Sequence, residues 1–253
     1  MNTAALRTTL AVLTALPLAL LTACDDSGTH GADGSGTSST PSTPPAGPLS
    51  ARELEKRSLD KGDLEGFLVE SGGKGQKFTA DQVRTDKKQC RLLDLALAPV
   101  ALGHPVATAQ RWAAADLPVP SSGSRTGGLD GTEPALDLPM MAITLASYED
   151  AGTAEGELTA LGKALTACRG GFTGTQRETT LHFTAVTQDR APEVGEQALA
   201  FTATGEVDGD EGPEKVVVFR KGSTLAYLSA IHPLGQDFDF PAPVLKAQEA
   251  KLS

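Results

Sequence analysis

Aromatic side chains are scarce in this sequence: one Trp, two Tyr and eight Phe among 253 residues. So few flat rings leave little on which nucleobases or sugars could stack. Positive charge is short as well. Lys and Arg number 22 against 32 Asp and Glu, a formal net charge of −10. Affinity for nucleic acid depends on cations neutralising phosphates, so a nucleic-acid partner is excluded. The same deficit argues against an electrostatic hold on anionic lipid. Motifs that carry chemistry are missing too: no G-x-S-x-G elbow, no H-E-x-x-H, and no S-x-x-K with plausible partners. His30 lies in a polar coil, and His104, His182 and His232 have no ligand-like spacing to one another or to cysteine. Gly72-Gly73-Lys74-Gly75 lacks the spacing and the Lys-Ser/Thr ending of a phosphate loop. In Asp208-Gly209-Asp210-Glu211-Gly212 the position that should supply a bidentate Glu to calcium is Phe219, so an acidic hairpin tip is the better reading. Neither metal nor cofactor is expected, and no catalytic residue is assigned.

What is present begins at the N-terminus. Arg7 precedes the apolar run Leu10–Leu21, too short for a hydrocarbon core of about 30 Å, which takes roughly 20 residues. Its length and flanks suit the h-region of a secretory signal. The run ends in Leu21-Thr22-Ala23-Cys24, which resembles the lipobox of bacterial lipoproteins. That resemblance implies a diacylglycerol on the Cys24 thiol and cleavage just before it, making 1–23 a lipoprotein signal peptide. The alternative is an ordinary signal with a chance cysteine at its end. Lipidation at Cys24 would place the chain on the extracytoplasmic face of the cell membrane, held there by lipid.

Three cysteines in an exported chain leave one over. Lipidating Cys24 resolves the count and leaves Cys90 and Cys168, which in an oxidising compartment most economically form one disulfide. Two separate buried thiols are the other possibility. Between anchor and core, residues 24–48 are dominated by Gly, Ser, Thr and Pro and have almost nothing to bury, so they read as a disordered tether. Its mean span would be roughly 25–30 Å.

Residues 49–253 read as one domain of helices and antiparallel strands. Ser50 and Glu53 have capping-box spacing ahead of a short helix with Leu49, Leu54 and Leu59 on its apolar stripe. A strand follows near Phe67–Val69, and a helix runs from Cys90 to Pro99. Val106–Trp112 is ambiguous, and 118–137, rich in Pro, Ser and Gly, is a long loop or excursion. Met140–Tyr148 alternates as a strand. Ala151, Ala154, Leu158, Leu161, Leu165 and Cys168 form a helical seam stopped by Gly170-Gly171. Strands are expected at Thr180–Thr187, Gln197–Thr204, Lys215–Arg220 and Ser223–Ile231, the last two joined around Lys221-Gly222. In the first of these, Leu181, Phe183 and Ala185 share one face. Pro241 and Pro243 open a closing helix whose inner edge is Val244, Leu245, Gln248 and Leu252. Helices outside with strands late is an α+β layout: an antiparallel sheet flanked by helices.

Several stretches also carry a family likeness: Leu59-Asp60-Lys61-Gly62-Asp63-Leu64-Glu65-Gly66-Phe67, Cys90 with the leucines after it, Tyr148–Phe172, Gly195–Phe201, and Pro243–Gln248. In these the chain resembles actinobacterial surface lipoproteins similar to the extracellular sensor domain of mycobacterial membrane Ser/Thr kinases. The resemblance implies an antiparallel sheet flanked by helices, a cleft for a small-molecule or envelope ligand, and no catalysis. The expected function is a non-enzymatic ligand-binding or sensing module. An envelope carrier of an apolar molecule such as a lipid is the alternative, and an unrecognised enzyme comes third. An enclosed apolar cavity would favour the carrier, and a shallow polar cleft the sensor.

The anchor is testable directly. Cys24→Ser should release the protein into the medium or leave it unprocessed. Unchanged partitioning into the detergent phase would show that Cys24 carries no lipid.

Overall fold

The structure, a computed structural model, describes residues 47–72, 77–116, 138–207 and 210–253. The signal segment, Cys24, nearly all of the tether, the 118–137 excursion, Gly73–Gly75 and the Asp208-Gly209 tip lie outside the described residues.

In chain order the elements are α1 (Ala51–Arg57), β1 (Phe67–Ser71), β2 (Val83–Thr85), α2 (Arg91–Leu97), β3 (Ala107–Ala115) and β4 (Met140–Ser147). They continue with α3 (Ala151–Ala167), β5 (Phe172–Gln176), β6 (Thr179–Asp189), β7 (Gln197–Val207), β8 (Asp210–Lys221), β9 (Thr224–Ile231) and α4 (Ala242–Leu252). Among the described residues, nine strands form one antiparallel sheet in the order β1-β3-β4-β9-β8-β7-β6-β5-β2. This is the α+β layout expected of the sequence.

The central strands explain the layering. Along β8, Val216 and Val218 pack on one side while Val217 and Phe219 pack on the other. In β9, Leu225 and Tyr227 oppose Ala226 and Leu228 in the same way. Strands apolar on both faces need cover on both. Helices α2 and α3 supply it on one side, with Leu93, Leu95, Leu158, Leu161 and Leu165 in a shared core. Leu54 of α1 and Val244, Leu245 and Leu252 of α4 supply it on the other. Burying each such side chain contributes about 1.5–3 kcal/mol.

Local signals place the helices. Ser50 and Glu53 form the capping box: the Glu53 N–H donates to Ser50 Oγ at 3.4 Å, and the Ser50 N–H to Glu53 Oε2 at 2.8 Å. Asp150 caps α3 by accepting from the Thr153 N–H at 2.7 Å. The α3 seam is buried from Ala154 to Cys168, but Ala151 is exposed in the first turn. At Gly171 φ is +72°, and a Cβ would meet the Phe183 carbonyl oxygen at 2.0 Å, so this stop admits only glycine. The inner edge of α4 is the expected one, including fully buried Gln248, whose Nε2 donates to the Arg57 carbonyl at 2.8 Å and whose Oε1 accepts from the Leu59 N–H at 3.2 Å.

The structure corrects or completes five points. The ambiguous stretch after Val106 is strand β3, and β4 is buried on both faces, so its polar Thr144 faces core rather than solvent. In β6 a register shift between Phe183 and Ala185 breaks the alternation, leaving Ala185 half-buried and turning Val186 into the core. Strands β2 and β5 were not anticipated. The β5–β6 hairpin turns at Arg177-Glu178 with Arg177 at φ 57°, so it lacks the glycine or asparagine that marks such turns. The β8–β9 turn lies one residue later than expected, at Gly222-Ser223.

Cys90 and Cys168 are joined, with Cα atoms 5.7 Å apart, and fasten the start of α2 to the end of α3. Both are buried in the helical core. The bridge spans 78 residues, which in the chain-entropy model contributes about 4 kcal/mol. Replacing either cysteine with Ser should cost about 2–5 kcal/mol in urea unfolding. Reduction should destabilise the wild type and leave the double variant unchanged, and two alkylatable thiols in the unfolded, unreduced mature chain would contradict the bridge.

Candidate functional site

The α2–β3 connection crosses the sheet and is pinned to it by polar side chains. Thr144 Oγ1 donates to the Pro99 carbonyl at 2.7 Å, and Gln110 Nε2 donates to the same oxygen at 3.2 Å. Farther along, the two tyrosines share a hydrogen bond of 2.7 Å between Tyr148 and Tyr227, while Tyr148 donates to the Leu102 carbonyl at 2.9 Å. Burial pushes both phenols above their ordinary range, so they stay neutral.

Beyond this connection the helical layer gives out. Among the described residues Leu97, at the end of α2, is the only α-helical one lining the space left over the sheet, a cleft of about 730 Å³ open to solvent. Its floor is made by strand ends whose residues are small: Ala114 of β3, Ala142 of β4, Gly205 of β7 and Gly212 of β8. Its walls are Trp112, Leu181, Phe183 and Phe78 with Met140 and Ile231, and the segment after β9 closes one side through His232, Pro233 and Gly235. Most of this surface is apolar, the usual composition of a small-molecule site. The rim is apolar too. Met140, Ile231 and Leu234 are 43%, 42% and 57% exposed, three of the four large hydrophobic side chains that face solvent among the described residues. Met140 and Ile231 line the cleft, and Leu234 lies between lining residues Pro233 and Gly235.

Polar groups in and beside the cleft are few. Glu214 Oε1 accepts from Ser229 Oγ at 2.6 Å, and burial raises the carboxyl to about 7 against the help of that hydroxyl. Asp94, on α2, is fully buried. Its Oδ1 accepts from Nε2 of Gln176, a lining residue, at 3.1 Å; burial raises the acid to about 6, and nearby Asp86 adds to the rise. Three buried polar atoms have no hydrogen-bond partner among the described residues: Asp94 Oδ2, Gln110 Oε1 and Trp112 Nε1. Each belongs to a residue that lines the cleft or is bonded to one that does. Unpaired buried polar atoms are uncommon and costly, about 1–3 kcal/mol each.

The sequence-predicted residues are dispersed with respect to this cleft. Cys24 is outside the described residues, and neither Cys90 nor Cys168 lines the cleft. His104 is exposed, and exposed His182 accepts or donates at Nδ1 to Thr173 Oγ1 over 3.2 Å. His232 alone of the three is in the wall, 7% exposed, with Nδ1 accepting from the Leu234 N–H at 3.2 Å. That bond puts the proton of the neutral ring on Nε2. No group of three His, Cys, Asp or Glu side chains suited to a metal occurs among the described residues. The residues missed from sequence are Glu214, Asp94 and Trp112. Asp94 carried the one usable signal, an acid inside the otherwise apolar run Leu92-Leu93-Asp94-Leu95-Ala96-Leu97.

No known protein family matches the chain, and no curated protein matches it. Among solved structures the chain is similar to the extracellular domain of PknH from Mycobacterium tuberculosis, with 11% sequence identity and a TM-score of 0.49, covering 81% of this chain and 95% of that one. The likeness is one of general resemblance.

Asp94 holds its proton more tightly folded than unfolded, so its contribution is favourable at low pH and is lost as pH rises from about 4 through about 6. Asp94→Asn should abolish that loss, roughly 2–3 kcal/mol. Urea unfolding across this range checks it: parallel pH profiles for the two proteins would show that Asp94 ionises in the fold without penalty.

Proposed function

We propose that the protein is a non-enzymatic binding module on the extracytoplasmic face of the cell membrane, anchored by lipid on Cys24, whose ligand places an apolar body in the cleft beside Trp112. The observation that carries this reading is the coincidence, at one end of the sheet, of an apolar open cleft, an apolar rim and buried polar atoms without partners. Support for the anchor is the Leu21-Thr22-Ala23-Cys24 sequence after a short apolar run, and among the described residues no helix is long and apolar enough to cross a membrane.

Binding rather than turnover is supported by what the polar groups are engaged in. Ser229 donates to a carboxylate, and His232 Nδ1 is occupied by a backbone N–H. Among the described residues no serine or cysteine is hydrogen-bonded to a histidine, and the Thr173–His182 pair is exposed and outside the cleft lining. The carrier reading keeps one observation in its favour, the apolar lining. Against it stands the open mouth, since cargo in transit would remain in contact with water.

Ala114→Phe, which fills the floor from β3, should abolish binding while leaving the fold intact by circular dichroism. Native mass spectrometry of the wild type incubated with an envelope lipid extract should show a bound small molecule that Ala114→Phe lacks. A wild type that emerges empty would refute the reading. Accelerated transfer of that molecule between vesicles would establish the carrier instead.

A further inference from the structure

We infer that the cleft selects an amphiphile with a cationic, hydrogen-bond-donating head, an alkylammonium in its simplest form, whose charge sits at Glu214 while its chain lies along Trp112 and Leu181. The inference deepens the binding role proposed above and rests on the cleft being the ligand site.

Charge complementarity is the first ground. Among the described residues the lining contains two carboxylates, Glu211 and Glu214, and neither Lys nor Arg. Asp94, fully buried, adds to the rise in the proton affinity of Glu214, and a cation beside Glu214 would favour its ionised form. An anionic head would meet Glu214 with no cation to neutralise it, an arrangement buried sites do not tolerate. Hydrogen-bonding capacity is the second. The lining carboxylates Glu214 and Glu211 are acceptors and take donors, while the unpartnered acceptors Asp94 Oδ2 and Gln110 Oε1 belong to residues outside the lining. An ammonium brings three donors and no acceptor. Amphiphilicity is the third ground. The apolar rim at Met140, Ile231 and Leu234 stands beside the apolar walls, suited to a chain that runs from the carboxylates out to the mouth.

Trp112 is the chain's only tryptophan and lines the cleft, so its emission reports occupancy directly. The experiment titrates the protein with decylamine, decanol and decanoate, each below its micelle concentration, with Ala114→Phe as the filled-cleft control. Decylamine should bind about tenfold more tightly than decanol, the scale of one charge-assisted hydrogen bond. Decanoate should be weakest, and Ala114→Phe should respond to none. Glu214→Gln, which keeps an acceptor for Ser229, should bring decylamine down to decanol and leave decanol unchanged. Equal affinity for decylamine and decanol, or decanoate binding as well as decylamine, overturns the inference while the binding role stands. Trp112 emission unmoved by every probe overturns both. The wild-type ranking needs no variant, so a poorly folding Glu214→Gln would not shelter the proposal.

Discussion

Val216, Val217, Val218 and Phe219 lie consecutively in β8, all buried, two facing each way. A strand of this kind has no face to give to water, and β9 beside it and β4 beyond β9 share the condition. Everything else in the architecture answers that constraint. One helical layer would leave Val217, Phe219, Ala226 and Leu228 exposed on the far side, so α1 and α4 are needed as much as α2 and α3. The sheet loosens outward from this centre: β6 buries only Phe183 and Val186, and short β2 and β1 form the edges.

Polar side chains hold the layers in register where apolar packing alone would let them slide. Arg111, 6% exposed, donates through Nε to the Leu59 carbonyl at 3.1 Å and pairs with Glu55 at 2.5 Å, tying β3 to α1 and its exit. Gln248 performs the same service between α4 and that exit. On the opposite face, Gln110, Thr144, Tyr148 and Tyr227 fix the connection that follows α2. These bonds are directional, so they specify one arrangement where burial is indifferent to small shifts.

The cleft is what remains where the helical cover stops before the sheet does. Central strands run on past Leu97 with small residues on the side that has lost its cover, and space opens above them. The polar atoms stranded beside it are costly for the fold. Strain of this sort against the general rule of satisfaction is the usual mark of a functional region.

Patterns within a single element were legible from the residues alone. The capping box at Ser50, the seam ending in Cys168, the doubly apolar β8 and the inner edge of α4 each depend on spacing along one chain segment, and spacing is written in the sequence. The pairing of Cys90 with Cys168 followed from counting and from the seam's direction. Strands β2 and β5 were not legible, because three or five residues carry little periodicity and their hairpin turns on Arg177 without a glycine. The bulge in β6 escaped for a similar reason, since it is a property of the β6–β7 pair and not of either strand. The cleft was beyond reach altogether. Glu214 reads in sequence as one more charge beside a strand, and Trp112 as one more aromatic; only the ordering of the sheet, which sets β3, β4, β9 and β8 side by side and ends α2 above them, brings these residues to one space.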